Sequence, residues 1–450
     1  MKWLPASVAA QRLKRGRAPQ RDHRALGVNR DMARLLTAAF VSTAGDWLYR
    51  LALPLLVYQT TRSAALTAVT YALEYGPYIV LSPLAGVLAD RIDRRRLLIG
   101  ADTSSALIVA ALVVGLASGV GSVPFIYGAA LLLAILSPFY HPAIQSLVPA
   151  VVAADDLTTA SARLQSVDSV VSVVGPLAGG AVIALLGTRN ALLADAASFG
   201  LSALLIAGIR ARRKASEHAV VKAGVGAELV EAAAYVRGDR LILAGAVLFT
   251  GANFAVFLVQ ANLIYYLTAV RGFAPSALGV IFSADGAGAL AGALLSAALV
   301  RRWGAGRVIL GSTVAAGLVT MLLLWARTVP AVAGVVAVES AAGMVTAATW
   351  FSLRLQRVPD GMLGRVVALT RMVAFAAIPA AAVLGGLLLG ATNDFTPLVL
   401  AAAGLQVILG TIGLRGPMNQ STVAIEAQSR RHDSVGRQPV ADVHAHSSAG

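Results

Sequence analysis

Long apolar stretches separated by short polar turns make up most of the chain. A helix needs about twenty mostly apolar residues to cross the hydrocarbon core of a membrane. The pattern predicts twelve such helices, called spans 1 to 12: residues 33–59, 66–89, 97–118, 123–149, 157–187, 190–209, 241–268, 275–300, 308–326, 330–353, 362–391 and 396–414. The predicted fold is therefore an all-α integral membrane protein.

The longest interruption between spans, residues 210–240, divides them into six and six. Within this interruption Leu229, Ala233 and Val236 recur at helical spacing. This spacing predicts a short amphipathic helix with one apolar face, lying on the cytoplasmic surface of the membrane.

The two groups of six spans resemble each other in sequence. With an offset of 203 positions, span 5 aligns with span 11, and Pro176 aligns with Pro379. Paired six-helix repeats are a transporter architecture in which the binding site lies between the repeats. We expect five segments: a basic cytoplasmic arm (1–31), two pseudo-symmetric six-helix bundles (32–210 and 241–415), a cytoplasmic linker (211–240) and a disordered cytoplasmic tail (416–450).

Composition and charge support a membrane location. The chain is 57% hydrophobic and 13% charged, about half the charge of a soluble domain. If both termini are cytoplasmic, 31 of the 37 Lys and Arg residues fall on cytoplasmic segments, as the positive-inside rule requires. The net charge of +15 is therefore attributed to topology and not to nucleic-acid binding. We expect a multi-pass plasma-membrane protein.

Several chemistries lack their sequence motifs. There is no cysteine, no lysine followed by Ser or Thr as a P-loop requires, and no G-x-S-x-G or H-E-x-x-H motif. The glycine-rich stretch DGAGALAG (285–292) lies within span 8, so it is interpreted as a helix-packing face and not as a dinucleotide loop. We expect no enzyme activity, no cofactor and no metal, and energy supplied by an ion gradient.

Ionisable residues inside the spans are costly to insert and are candidates for function. Asp46, Asp168 and Arg371 lie near mid-depth of their spans, whereas Glu74, Asp285 and Glu339 lie nearer the outer side. A carboxyl group in a low-dielectric medium can gain and lose a proton near neutral pH. The candidates for proton coupling are Asp46, Glu74, Asp168, Asp285 and Arg371.

Structural roles remain open for each of these residues. Asp46 and Arg50 are four residues apart, so they can form an ion pair on one helix face, and Arg371 can be neutralised by a carboxylate from span 2. Asp102 and Asp195 lie near span ends, and we expect them to be capping residues or residues that reach the membrane surface.

Two motifs carry a family resemblance. The loop after span 2, GVLADRIDRRR, places Gly86, Asp90, Arg91, Arg94 and Arg95, and the stretch GPLAGG in span 5 places Gly175, Pro176, Gly179 and Gly180. With GDWLYRLALPLLVYQTTRSA in span 1 and LGRVVALTRMVAFAAIP in span 11, they resemble the major facilitator superfamily over residues 32–415, and its drug:proton antiporters of the enterobactin-exporter and macrolide-efflux type in particular.

The sequence departs from the family pattern at three places. Asp93 stands where the loop pattern has Gly, Val171 stands where the antiporter motif has its upstream Gly, and span 4 has no Arg. The glycines of GPLAGG are equally explained as a small-residue surface for close helix packing, with Pro176 producing a kink.

The resemblance implies a monomeric transporter that works by alternating access. It also implies that the loop after span 2 latches span 2 against span 11, where Asp90 meets the positive end of a helix, and that spans 1, 4, 7 and 10 line a central cavity. Candidates for the lining are Tyr140, His141, Asn253, Phe257, Gln260, Glu339 and Trp350. Such a lining suits an amphipathic or aromatic organic molecule.

The predicted function is proton-coupled export of small organic compounds such as drugs, antibiotics or siderophores. Two alternatives stay open. The same fold can move lysophospholipids or take up a solute together with protons, and a protein of this fold can act as a membrane sensor or assembly factor that transports nothing.

Overall fold

The structure, a computed structural model, describes residues 30–91, 93–209 and 225–419. These residues form helices and no strands. Most of the predicted arm, much of the linker and most of the predicted tail lie outside them. The helices are α1 (Arg30–Thr61), α2 (Ala64–Arg91), α3 (Arg94–Ala117), α4 (Val123–Val151), α5 (Leu157–Ala207), α6 (Val225–Gly238), α7 (Arg240–Tyr265), α8 (Pro275–Trp303), α9 (Ala305–Met321), α10 (Val329–Arg357), α11 (Asp360–Thr392) and α12 (Thr396–Gly413).

Every predicted span is helical. Within the described ranges, nine helices are long and apolar enough to cross a membrane. One of them is α5, whose 51 residues contain spans 5 and 6. Helices α1 and α2 contain 32 and 28 residues, which exceeds the length needed for a crossing at 1.5 Å per residue.

A single glycine separates spans 5 and 6. Gly187 lies inside α5 with φ +82° and ψ 164°, a conformation that is not helical. A side chain strongly disfavours a positive φ, so glycine is the residue that permits this break. The predicted boundary between residues 187 and 190 is therefore confirmed.

The two halves repeat the same helix pairings. Helix α1 packs on α5, α2 on α4 and α3 on α5 in the first half (residues 30–209, the N-half), as α7 packs on α11, α8 on α10 and α9 on α12 in the second half (residues 240–413, the C-half). Between the halves, α2 packs on α11 and α5 on α8. This repetition is the expected pseudo-symmetry of two six-helix bundles.

The apolar core is continuous across the halves at one end only. The end that carries α6 and the α2–α3 turn is called the linker side. At the opposite end, a single core joins residues 51–57 of α1 to residues 255–264 of α7. There Tyr58 packs edge-on against Tyr265 with ring centroids 5.4 Å apart. On the linker side the core is split into two clusters, one in each half. The bundle is therefore closed at the opposite end and divided on the linker side.

Helix α6 packs against the C-half. Ala232 and Val236 are buried in the C-half core of the linker side, and Glu231 accepts a hydrogen bond from Arg365 of α11 at 2.6 Å. The expected amphipathic helix exists, but Leu229 and Ala233 of the expected apolar face are only half-buried. The apolar face of α6 is covered by α7 and α11, and the position of the helix at the membrane surface stays a prediction.

Asp239 fixes the start of α7. Its Oδ1 accepts hydrogen bonds from the amides of Leu241 and Ile242 at 2.9 and 3.2 Å, and its Oδ2 lies 2.9 Å from Nε of Arg357. Partial burial raises the pKa of Asp239, but the Arg357 hydrogen bond and the two amides outweigh it, so the pKa lies below its usual value. The ionised carboxylate thus favours the folded state.

The first prediction concerns this cap. Asp239→Ala is expected to destabilise the purified protein by about 1 kcal/mol at pH 7, the typical effect of a lost N-cap. Asp239→Asn should cost less, because Asn also caps helices. A lowered pKa contributes stability above the unfolded-state pKa, and this is lost as the pH falls through the folded-state value. Thermal unfolding from pH 7 to pH 3 should therefore show wild type and Asp239→Asn converging. A gap that persists in acid would contradict this role.

Candidate functional site

The first candidate site is a pocket within the N-half, called the N-half pocket. It encloses about 780 Å³ of empty space, part of it open to solvent. Five helices contribute to its wall, and its polar lining consists of Ser42, Asp46, Tyr49, Arg50, Glu74, Asp102, Ser105, Ser137 and Tyr140. This pocket brings together two of the predicted proton-coupling residues, Asp46 and Glu74.

An ion pair crosses the N-half pocket from α1 to α2. Nε of Arg50 lies 3.3 Å from Oε1 of Glu74, and the two side chains are 46% and 29% exposed. The guanidinium also lies 5.5 Å from the ring of Trp47. Asp46 is half-buried one helical turn before Arg50. The predicted i,i+4 pairing of Arg50 with Asp46 is therefore replaced by a bridge to another helix, which leaves Asp46 beside it as a second acid.

Two further acids of the N-half are buried, Asp102 in the wall of this pocket and Asp195 outside its lining, and the expectation for them is wrong. Asp102 is 1% exposed and accepts a hydrogen bond from Ser202 Oγ at 2.6 Å. Asp195 is 0% exposed, and among the described residues neither of its oxygens has a hydrogen-bond partner. Both had been expected to cap helices or to reach the surface. Asp102 is the ninth residue of α3, too deep for either role, and both residues face other helices of the N-half.

The second candidate site is the corresponding pocket of the C-half, called the C-half pocket. It encloses about 730 Å³, part of it open to solvent. Its lining includes Phe249, Asn253, Val256, Gln260, Asp285, Thr313, Ala316, Glu339, Ser340, Met344, Thr346 and Gln406. Four residues predicted from the sequence thus lie together: Asn253, Gln260, Asp285 and Glu339.

The other predicted lining residues lie elsewhere. Trp350 is 1% exposed and fills the space beside Gly245, with Arg354 5.8 Å from its ring, so its prediction as a cavity residue is wrong. Phe257 packs against Tyr75 across the two halves, at 5.4 Å between ring centroids. Tyr140 lines the N-half pocket. The side chain of His141 lies outside the described residues.

Asp168 and Arg371 are not part of either pocket. Asp168 lines a separate cleft of about 860 Å³, with Gln145 and Gln165, near the linker side of the N-half. Arg371 lies over the ring of Phe375 at 5.1 Å. Asp168 and Arg371 are related by the same offset of 203 positions that aligns Pro176 with Pro379, but they do not lie in one site.

The α2–α3 turn and the start of α3 anchor helices within the N-half. Arg94 donates to the carbonyl of Ser146 in α4 at 3.0 Å, and Arg95 donates to the carbonyls of Ile206 and Ala207 at the end of α5. Asp93 caps α3 by accepting from the amides of Arg95 and Arg96. The side chains of Asp90 and Arg91, and the surroundings of Gly86, lie outside what the structure describes. The latch between spans 2 and 11 stays a prediction, although α2 does pack on α11.

The second prediction tests the anchoring role. Arg95→Gln removes a cation from the negative end of α5 and should lower stability by about 1 kcal/mol. Arg96→Gln is the matched control, because Arg96 is the exposed neighbour. Thermal unfolding of both purified variants measures the difference. Equal melting temperatures would show that these carbonyl contacts contribute nothing.

The GPLAGG motif is a packing surface on two sides. A Cβ at Gly175 would overlap Trp47 of α1, and one at Gly179 would lie 3.3 Å from the Trp47 carbonyl. On the other side, a Cβ at Gly180 would lie 2.7 Å from Cα of Gly279 in α8. Pro176 is buried between them.

The glycine-rich stretch of α8 is also a packing surface. Gly286 meets the backbone of α5, and Gly288 and Gly292 meet the backbone of α10. The packing interpretation of both glycine-rich stretches is therefore confirmed.

The fold and the paired pockets define the class: a multi-pass helical membrane protein with two pseudo-symmetric bundles around polar pockets. The chain matches the sequence model of the Major Facilitator Superfamily over residues 35–382. The chain belongs to the major facilitator superfamily and is a membrane transporter with drug-efflux-like relatives.

Curated relatives agree with this assignment. The chain is 27% identical over 360 residues to the multidrug efflux pump Tap of Mycolicibacterium fortuitum, covering 78% of this chain and 87% of Tap. It is 34% identical over 166 residues to the uncharacterized MFS-type transporter Rv0037c of Mycobacterium tuberculosis (strain ATCC 25618 / H37Rv), but this match covers only 36% of this chain and 35% of that protein.

Solved structures confirm the fold. A bacterial homologue of the iron transporter ferroportin in its inward-facing state superposes with a TM-score of 0.67 at 18% identity, over 86% of this chain and 98% of that chain. A bacterial ferroportin homologue in its outward-facing state, with the same identity and coverage, gives a TM-score of 0.57.

Proposed function

We propose that this protein exports small organic compounds across the plasma membrane in exchange for protons, by alternating access, with both termini in the cytoplasm. The observation that carries the proposal is the N-half pocket, where Asp46, Arg50 and Glu74 line one space and are partly exposed. A carboxylate that faces a cavity within the bundle can exchange a proton with the medium.

The ion pair is linked to the contact between the halves. Protonation of Glu74 removes the negative charge that holds Arg50, and Asp46 is one turn away as the next acceptor. Tyr75, the neighbour of Glu74, packs edge-on against Phe257 of α7 and Phe375 of α11. A change of contacts at Glu74 therefore acts on the interface at which the halves rock.

The division of the core supports alternating access. The opposite end is sealed by one core, and the linker side has two separate cores. With the linker side in the cytoplasm, as the positive-inside rule predicts, this conformation faces inward. The higher TM-score against the inward-facing ferroportin homologue agrees with that assignment.

A proton gradient can drive such export. One charge moving through 100 mV releases about 2.3 kcal/mol, and a tenfold concentration difference costs about 1.4 kcal/mol. One proton for each neutral solute therefore supports a gradient of some tens-fold. The relatives named multidrug efflux pumps favour organic compounds as the cargo.

The test is transport by the purified protein in proteoliposomes. Fluorescent organic dyes and antibiotics are offered with a pH gradient of either sign, with and without an uncoupler. We expect movement of dye against proton flow that stops when the uncoupler is added. Flux that is independent of the pH gradient, or uptake with protons, would overturn the proton-antiport proposal.

A further inference from the structure

The N-half and C-half pockets are lined by equivalent positions of the two repeats. On α1, the lining residues Asp46, Tyr49 and Arg50 correspond, at an offset of 203 positions, to Phe249, Ala252 and Asn253 of α7, which also line a pocket. An offset of 211 relates Glu74, Asp102 and Ser105 to Asp285, Thr313 and Ala316. The two pockets therefore occupy equivalent places in the two repeats.

The charged residues of the two pockets differ: Asp46 and Asp102 of the N-half correspond to Phe249 and Thr313 of the C-half, and Arg50 corresponds to Asn253. In the N-half pocket, Arg50 neutralises Glu74 at 3.3 Å. In the C-half pocket, Asp285 holds the place of Glu74, but Asn253 holds the place of Arg50. The Nδ2 group of Asn253 donates to the carbonyl of Phe249 at 2.8 Å, within its own helix. The internal cation is thus missing from the C-half pocket.

The C-half pocket has a second carboxylate without a counterpart in the N-half. Glu339 of α10 lines the C-half pocket, and Ala129 stands at its equivalent position 210 residues earlier. Over the described part of the chain, neither Glu339 nor Asp285 has a basic side chain within 4 Å. Both carboxylates are half-buried and so reachable from the cavity.

Gln406 adds a buried acceptor to the pocket. Gln406 is 1% exposed, lines the pocket, and its Oε1 has no hydrogen-bond partner among the described residues. The hydroxyl groups of Thr313 and Thr346 bond to carbonyls of their own helices. The pocket therefore leaves the Gln406 oxygen without a donor from the described residues, whereas Asp285 receives a side-chain hydrogen bond from Ser340.

The remaining wall is apolar and aromatic. Phe249, Val256 and Met344 face the same space, and Phe249 packs edge-on against Phe351 at 5.5 Å. Aromatic faces and a polarisable thioether suit an organic cation. A bare metal ion is disfavoured, because no group of three His, Cys, Asp or Glu side chains that could hold a metal occurs among the residues with described positions.

We propose that the C-half pocket binds a lipophilic organic cation, whose positive group lies between Asp285 and Glu339, where the N-half pocket holds the guanidinium of Arg50. The proposal rests on the proposed export function, which it deepens by naming the substrate class and its binding site. It also assigns Asp285 to substrate binding and leaves proton exchange to the N-half pocket.

The test is equilibrium binding to the purified protein in nanodiscs, without any gradient. The probes are tetraphenylphosphonium, whose charge does not depend on pH, and neutral triphenylphosphine oxide. We expect the cation to bind at least about tenfold more tightly, about 1.4 kcal/mol. Asp285→Asn and Glu339→Gln should each weaken cation binding about tenfold and leave binding of the neutral probe within about threefold.

Two further variants make the outcome decisive. Asn253→Arg supplies the missing internal cation and should abolish tetraphenylphosphonium binding, while the neutral probe reports that the pocket is intact. Glu231→Gln removes a carboxylate on α6, far from the pocket, and should change nothing. Equal affinity for both probes, no cation binding to wild type, or cation binding unchanged in all three pocket variants would overturn the proposal. Cation binding without pH-driven transport would contradict only the proposed export mechanism.

Discussion

Replacing Glu74 with Gln is expected to abolish efflux driven by a pH gradient, lowering its rate at least about a hundredfold, about 2.7 kcal/mol. Gln preserves the shape of the side chain, but it cannot bind and release a proton. It also leaves Arg50 without its partner at 3.3 Å. Efflux of a fluorescent dye from inverted vesicles with an imposed pH gradient measures the change, and protein level in the membrane is measured in parallel.

Asp46→Asn should behave in the same way, because Asp46 is the second acid beside Arg50. The matched control is Glu231→Gln, which removes an acidic side chain that pairs with Arg365 on the linker side. Its pH-driven efflux should equal that of wild type. Undiminished efflux from both Glu74→Gln and Asp46→Asn would remove the N-half pocket from proton coupling.

Adding one methyl group at Gly180 is expected to disrupt the contact between the halves. In Gly180→Ala the new Cβ would lie 2.7 Å from Cα of Gly279 and 2.9 Å from the carbonyl oxygen of Pro275. Both are backbone atoms, so α5 and α8 must move apart. Overpacking of this kind costs about 1–3 kcal/mol. We expect a lower melting temperature and strongly reduced transport.

Gly200 in the same helix provides the matched control. A Cβ at Gly200 meets no atom within 4 Å, and Gly→Ala in a helix interior is stabilising by about 0.5–1 kcal/mol. Gly200→Ala should therefore be neutral or more stable, with normal transport. If Gly180→Ala and Gly200→Ala had the same melting temperature and the same transport rate, the close α5–α8 contact would not be needed for stability or transport.

The sequence predicted the helices and their arrangement well, because hydrophobicity alone determines which segments can cross a membrane. The break at Gly187, the division into two halves and the packing role of GPLAGG were all accessible from local patterns. Small residues that recur at helical spacing predict a helix face that packs closely on a neighbouring helix. This spacing can be seen directly in the sequence.

Contacts between distant helices could not be predicted in the same way. The partner of Arg50 is Glu74 on α2 and not Asp46 on its own helix. Asp195 looked like a terminal residue, but it is buried where the second part of α5 meets α1, beside Gly45. The position of Gln406 in the pocket could not be predicted from the sequence. A single amide side chain in an apolar helix does not indicate how deeply it is buried or which neighbouring helix it faces.

The equivalence of the two pockets links these observations. The two repeats share their architecture but differ at Arg50 and Asn253, so the N-half pocket holds an internal ion pair and the C-half pocket holds two half-buried acids without a basic partner. Local sequence comparison does not identify this difference as functional, because it depends on knowing that both residues line cavities. This difference underlies the proposal that the N-half pocket exchanges protons and the C-half pocket binds the substrate.

The central claim is that the two halves rock so that the linker side closes while the opposite end opens. Because the chain contains no cysteine, spin labels can be placed at Arg96→Cys with Arg307→Cys on the linker side, and at Gln59→Cys with Arg327→Cys at the opposite end. These four positions are exposed. Distances within each label pair are measured by pulsed electron–electron double resonance. When the pH is changed and tetraphenylphosphonium is added, the distance between the linker-side labels should shorten by several ångströms, and the distance between the labels at the opposite end should lengthen. Two distances that stay constant, or that change in the same direction, would contradict the account.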